Sequence, residues 1–175
     1  MKTVIFYLTR DGQTRKIAEK IAREWQGEIT TLCLRETADI SSEELASFDC
    51  IVIGASIRYG HFDPLLEKFV AKHSVLLNQK RSAFYSVNLT ARKPNKNSPE
   101  TNVYTRKLLK RISWQPQLVQ VFAGALRYPR YRWFDRVMIR FIMKITGGET
   151  DTRQEYEYTD WQIVSEFVSK LSKLS

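Results

Sequence analysis

The sequence predicts an α/β fold, a three-layer sandwich in which one five-stranded parallel sheet carries helices on both faces. Short runs of apolar and β-branched residues alternate with stretches of helical period, as in strands linked by crossover helices. Two of the runs, residues 3–8 (TVIFYL) and 50–56 (CIVIGAS), are apolar throughout, which parallel strands buried on both faces require. The 175 residues, 43% hydrophobic and 27% charged, suit one core and are too few for two catalytic domains. Residues 1–175 therefore read as a single domain.

The first run ends in a polar turn, after which Ile17, Ala18, Ile21, Ala22 and Trp25 recur at helical spacing among charged neighbours. This is an amphipathic helix over 13–25, closed near Gly27. Residues 28–34 read as the second strand, 41–47 as a short helix opened by serines, and 50–56 as the third strand. Pro64 opens a helix whose Leu65, Leu66, Phe69, Val70 and Val75 face the sheet. The fourth strand is 81–87; a polar loop over 88–98, a basic helix over 100–112 and the fifth strand over 117–125 follow. A last helix, 160–174, turns Trp161, Val164, Phe167, Val168 and Leu171 inward. The minimal plan has no need of residues 126–159, an insertion between the fifth strand and the last helix, and loops of that length are usually functional.

The net charge of +9 is concentrated: residues 88–144 hold 13 basic groups against 2 acidic ones. That points to a local surface for an anionic partner rather than to a general solubility device. Cys33 and Cys50, in apolar runs, fit neither a metal spacing nor a disulfide framework and read as buried thiols. His61 suits either a turn or capping role or proton transfer in the loop after the third strand, and His73 reads as a helix-surface residue; no metal site is expected. Residues 1–9 lack the pattern of a secretory signal, and no apolar run approaches the ~20 residues that span a bilayer. The basic residues 92–96 and 107–111 are not accompanied by any nucleic-acid module, so no nucleic-acid partner is expected.

Between the first strand and its helix stand Thr9, Arg10, Asp11, Gly12, Gln13 and Thr14. Hydroxyls, a glycine and free backbone N–H groups at a helix N-terminus surround a phosphate, and the helix dipole favours its charge by ~0.3–1 kcal/mol. Neither GxGxxG nor GxxxxGKS/T occurs, so the loop suits a mononucleotide phosphate; taken alone, the same turn is also an ordinary helix cap. A strand, the motif S/T-x-x-G-x-T and an amphipathic helix together resemble the phosphate loop of the flavodoxin-like FMN proteins, and the alternation of elements covers essentially the whole chain. The resemblance implies FMN and a strand order of 2-1-3-4-5. It implies the phosphate on residues 9–14, with the isoalloxazine flanked by Ser56, Ile57, Arg58, Tyr59 and Gly60 and by Ser86, Val87, Asn88 and Leu89. This agrees with ligand binding at the carboxyl ends of strands near the switch point. Asp11 departs from the pattern, since its carboxylate repels a phosphate unless it caps the helix or Arg10 and Arg15 offset its charge. Tyr59 suits either stacking on the flavin or a surface turn, and Arg58 either the charge of a reduced flavin or a surface ion pair. Gly147 and Gly148 suit a turn at the end of the insertion or a backbone approach to FMN.

Residues 126–144 (LRYPRYRWFDRVMIRFIMK) carry six cations and one acid. Arg132, Arg136, Arg140 and Lys144 recur every four residues, one drifting basic stripe on a helix, while Trp133, Phe134, Val137, Met138, Phe141, Ile142 and Ile145 take much of the remainder. Such a helix suits a membrane interface, where each cation near an anionic surface contributes ~1 kcal/mol. It equally suits an apolar side packed on the protein's own sheet. Its cations, with Arg127 and Arg130, also suit the carboxylates of a substrate. The segments YLTRDGQTRKIA, GASIRYGHFDP and RYRWFDRVMIRFIMKITGGETD look like those of the flavodoxin-type, quinone-dependent protoporphyrinogen oxidases, a bacterial haem-pathway family, along nearly the full length. That resemblance implies a peripheral enzyme at the cytoplasmic face of the bacterial inner membrane. It would remove six electrons overall from protoporphyrinogen IX and pass them through FMN to menaquinone or ubiquinone. The flavin then carries the redox step and no side chain is singled out as catalytic; the insertion's cations, or Arg92, Lys93 and Lys96, meet the two propionates. The alternatives are a flavodoxin-type electron carrier, although that family is generally acidic, and a general FMN quinone reductase. A homo-oligomer is compatible with the sequence.

Overall fold

The computed structural model describes residues 1–174. From the N-terminus run β1 (Lys2–Leu8), α1 (Gln13–Glu24), β2 (Glu28–Cys33), the one-turn α2 (Leu34–Thr37), α3 (Ser42–Ala46) and β3 (Cys50–Arg58). Then follow β4 (His61–Phe62), α4 (Pro64–Gln79), β5 (Arg81–Asn88), α5 (Val103–Arg111) and β6 (Leu118–Ala123). The chain closes with β7 (Ala125–Arg127), α6 (Trp133–Thr146), β8 (Glu155–Glu157) and α7 (Trp161–Leu171). The main sheet has the order β2-β1-β3-β5-β6 with every neighbouring pair parallel. With the two-residue β4 left out of the count this is the expected 2-1-3-4-5 order.

Side-chain alternation along the strands builds two cores. Val4, Phe6 and Ile53 face Leu66, Phe69 and Leu77 of α4 and Leu108 of α5. Ile5, Val52 and Tyr85 face Ile17 and Ile21 of α1 and Val164, Phe167 and Leu171 of α7. The helices begin where side chains take up otherwise unpaired backbone donors. Ser41 accepts from Glu44 N–H, Asp63 from Leu65 N–H, Asn102 from Thr105 N–H and Asp160 from Gln162 N–H. Gly54 is required by packing: a Cβ on it would lie 2.0 Å from Tyr85 Cζ, so only glycine admits that ring beneath β3.

Several elements differ from the sequence reading. The basic helix starts at Val103 rather than residue 100 because Asn102 caps it. The fifth core strand stops at Ala123 because Gly124 turns the chain, donating to Asn88 O (3.1 Å) and accepting from Tyr158 N–H (3.0 Å). Val75 is 70% exposed and does not face the sheet. His73, read as a surface residue, is buried with its ring 4.8 Å from that of Phe69. Cys50 is buried and Cys33 half-buried. The hairpin β3–β4 was not expected; it turns on Tyr59 (φ 51°) and Gly60 (φ 79°), both left-handed as a type I′ turn demands.

The insertion folds as a unit with its own small core. β7 pairs antiparallel with β8, and α6 sets Ile139 and Met143 on Leu126, Tyr128 and Tyr131. The apolar side read as a candidate for the sheet stays outside: Trp133 is 75%, Phe134 64%, Phe141 58% and Ile145 68% exposed.

Candidate active site

A cavity of ≈ 480 Å³ opens at the carboxyl ends of β1, β3 and β5. Its floor is the loop after β1 and its far walls are the turns after β3 and β5. Its roof is α6, which contributes Met138, Ile139, Ile142, Met143 and Thr146. The helix is fastened at both ends. In its first turn Asp135 accepts the Tyr59 hydroxyl (2.5 Å) and lies 3.7 Å from Arg58 Nη1. In its last turn Thr146 accepts Arg92 Nη2 at its hydroxyl (3.0 Å) and its carbonyl (3.3 Å).

The loop at residues 9–14 is shaped before any ligand arrives. Gly12 N–H donates to Thr9 Oγ1 (3.0 Å), and Gly12 itself is left-handed at φ 89°, with open space where a Cβ would stand. The first intrahelical bond of α1 runs from Lys16 N–H to Gly12 O (3.0 Å), so the N–H groups of Gln13, Thr14 and Arg15 precede it. Thr14 is fully buried and its Oγ1 has no hydrogen-bond partner. A buried hydroxyl without a partner at a helix N-terminus is the arrangement that a bound phosphate oxygen satisfies.

Asp11 does not spoil that site. Arg58 Nη2 donates to both of its carboxylate oxygens (2.7 and 2.6 Å), and the guanidinium stacks 5.1 Å from the centre of the Tyr131 ring. The offset therefore comes from β3 and not from the neighbours considered in the sequence: Arg10 is exposed and Arg15 pairs with Glu19 (2.8 Å). The Gln13 side chain is also engaged within the protein, its Nε2 donating to Thr159 Oγ1 (2.8 Å) and its Oε1 accepting from Arg127 Nη2 (2.6 Å).

Of the residues read as cofactor contacts, Thr9, Asp11, Gln13, Thr14, Ser56, Ile57, Arg58, Tyr59, Gly60, Val87, Asn88 and Leu89 line the cavity. Ser86 is fully buried and hydrogen-bonded to Thr105 (2.7 Å). Gly147 and Gly148 close α6, where Gly148 N–H donates to Met143 O (2.8 Å). Asn88 holds the turn after β5 through Oδ1, which accepts from Ala91 N–H (3.0 Å), and its buried Nδ2 has no partner. Burial pushes the Tyr131 phenol up to about 12, and desolvation with the bond to Asp135 does the same for Tyr59. Neither phenol is a base near neutral pH. Tyr104, Tyr131, Ile139, Met143 and Thr146 also line the cavity and were not read from the sequence. Ile139 and Met143, four apart, were the available signal.

The insertion's cations divide. Arg127 pairs with Glu155 (3.0 Å) and Arg130 with the same carboxylate. Arg136 donates to the carbonyls of Tyr128 and Tyr131 (both 3.2 Å). Arg132, Arg140 and Lys144 are exposed and in no ion pair among the described residues. No helix among those residues is long and apolar enough to cross a membrane.

Residues 4–153 match the model of a family described as a flavodoxin domain. The chain is 51% identical over 175 residues to "Protoporphyrinogen IX dehydrogenase [quinone]" of Escherichia coli strain K12, covering 100% of this chain and 97% of that protein. A Leishmania major protein of the same name is 51% identical over 174 residues, 99% of this chain and 75% of that one. Among solved structures, oxidised flavodoxin 1 of Bacillus cereus superposes with a TM-score of 0.57 at 16% identity, covering 99% of this chain and 98% of that one. Together with the unsatisfied donors and hydroxyl above, the flavodoxin match supports a flavin as the group this cavity holds.

Proposed function

The chain belongs to the flavodoxin-domain family, in the group of protoporphyrinogen IX dehydrogenases, and from that membership we propose that it is an FMN-dependent enzyme. It oxidises protoporphyrinogen IX to protoporphyrin IX and delivers the electrons to a membrane quinone, menaquinone or ubiquinone. The observation that carries the reading is the roof of the cavity: α6 turns Ile139 and Met143 inward and an unpartnered apolar face outward. A carrier that docks on proteins has no need of such a helix, whereas an enzyme with two lipophilic substrates does.

FMN, when bound, would supply the redox chemistry between the porphyrinogen and the quinone. The protein's share is placement. Thr9, the Thr14 hydroxyl and the free N–H groups of Gln13, Thr14 and Arg15 hold the phosphate at the start of α1, and Arg58 keeps Asp11 from opposing it. Met138 and Ile142, 36% and 39% exposed, form an apolar lip where cavity and outer surface meet. Trp133, Phe134, Val137, Phe141 and Ile145 enter the headgroup layer of the cytoplasmic face of the inner membrane, with Arg132, Arg140 and Lys144 among anionic lipids. The enzyme is thus peripheral, and quinone reaches the cavity from the lipid.

The test is an anaerobic assay of FMN-loaded protein with protoporphyrinogen IX, with and without quinone in vesicles. Multiple turnovers only when quinone is present are expected. No porphyrin formation in either arm, from protein that retains its flavin, overturns the reading.

A further inference from the structure

We propose that Arg92 is the carboxylate anchor of the cavity, the side chain that holds one propionate of the tetrapyrrole; this rests on the function proposed above. Two arginines line the cavity, and they differ in one respect. Arg58 is neutralised by Asp11. Arg92 has no such partner: Nη1 donates to Leu89 O (2.9 Å), Nη2 to Thr146 O (3.3 Å) and Thr146 Oγ1 (3.0 Å), and no carboxylate is in ion-pair range among the described residues. Its bonds all go to neutral acceptors, so the half-buried cavity wall keeps one uncompensated positive charge among Leu89, Ile142 and Met143. A partly desolvated guanidinium of this kind favours an anion from outside.

The surroundings fit a carboxylate. Those three bonds occupy at most three of the five guanidinium N–H donors, hold the group against α6 and leave at least two donors over. On the same turn the buried Nδ2 of Asn88 is a further donor without an acceptor. Gly148 fixes the wall on that side: a Cβ there would stand 1.9 Å from Met143 Cε and 3.1 Å from Arg92 Nη2, so glycine lets both side chains keep their places. This anion position is separate from that of the flavin phosphate. Arg92 follows β5 and Thr14 follows β1, two strands away across β3, or roughly 10 Å at the usual strand spacing. The cavity therefore offers two anion positions with apolar walls, one for the cofactor's tail and one for a substrate acid.

Equilibrium binding separates this role from a structural one. Flavin-loaded protein is titrated with protoporphyrin IX and, separately, with its dimethyl ester, following porphyrin fluorescence. Wild type should bind the diacid more tightly than the ester. Arg92→Gln should weaken diacid binding about 10- to 100-fold more than ester binding, the worth of a charge-assisted hydrogen bond. Arg92→Lys, which keeps the charge, should recover most of the preference. Equal affinity of wild type for acid and ester overturns the proposal even if Arg92→Gln fails to fold. A folded Arg92→Gln with an unaltered acid-to-ester ratio overturns it too, as does a loss confined to flavin affinity. Those failures are distinct from failure of the function, which shows as wild type oxidising no porphyrinogen.

Discussion

At the scale of single residues, Asp11 in the candidate phosphate loop is a liability that Arg58 cancels across 47 positions of sequence. Arg58→Met should therefore weaken flavin binding by about tenfold or more, and adding Asp11→Asn should restore most of it; a double-mutant cycle by flavin titration measures that coupling, and strictly additive losses would sink the pairing. The conflict was legible in the sequence but its resolution was not, because a long-range pair leaves no spacing signal. His73 is a similar case. Its apolar environment and Lys72 hold its pKa below the ordinary histidine value, and its buried Nε2 has no partner. With the folded pKa below the unfolded value of about 6.5, its contribution is complete above that pH and is lost as pH falls through the folded pKa. Denaturant midpoints should drop from pH 7.5 to pH 5, with a smaller drop in His73→Phe; an equal drop in both would assign the effect elsewhere. Gly54→Ala should cost about 1–3 kcal/mol by driving a methyl into Tyr85, read as a lowered midpoint.

At the scale of elements, the core strands and their helices were readable because each is governed by its own periodicity. The breaks were not. β6 ends at Gly124 because of hydrogen bonds to residues 36 and 34 positions away, and β7 and β8 are too short to show an alternation. In α6 the sequence showed the cations and seven apolar residues but not which side packs. Ile139 and Met143 take the inner side, and that leaves the larger aromatic face free. The helix should then be the membrane contact. Replacing Trp133, Phe134 and Phe141 together by Gln should abolish binding to anionic vesicles, and Arg140→Gln with Lys144→Gln should weaken it by about 1 kcal/mol per cation in low salt, with little change in thermal midpoint. Cosedimentation unchanged in both variants would contradict this face as the contact.

At the scale of the whole molecule, the carboxyl ends of β1, β3 and β5 and the inserted helix enclose one cavity, so cofactor binding and fold stability are linked. A ligand that binds the folded state alone, at a hundred times its Kd, stabilises by about 2.7 kcal/mol, or roughly 5–10 °C in Tm for a chain of this size. The sequence located the cavity's floor, since a phosphate loop is a local motif, and missed much of its roof, since Tyr131, Ile139, Met143 and Thr146 acquire their role only once α6 is laid across the sheet. The proposed chemistry requires the flavin to be held by its phosphate at residues 9–14. The direct measurement is paired titration of the apoprotein with FMN and with riboflavin, in wild type and Thr14→Val. FMN should bind about 100-fold or more tightly than riboflavin, through several charge-assisted hydrogen bonds, and the gap should narrow in the variant. Riboflavin binding as tightly as FMN to wild type would contradict the account.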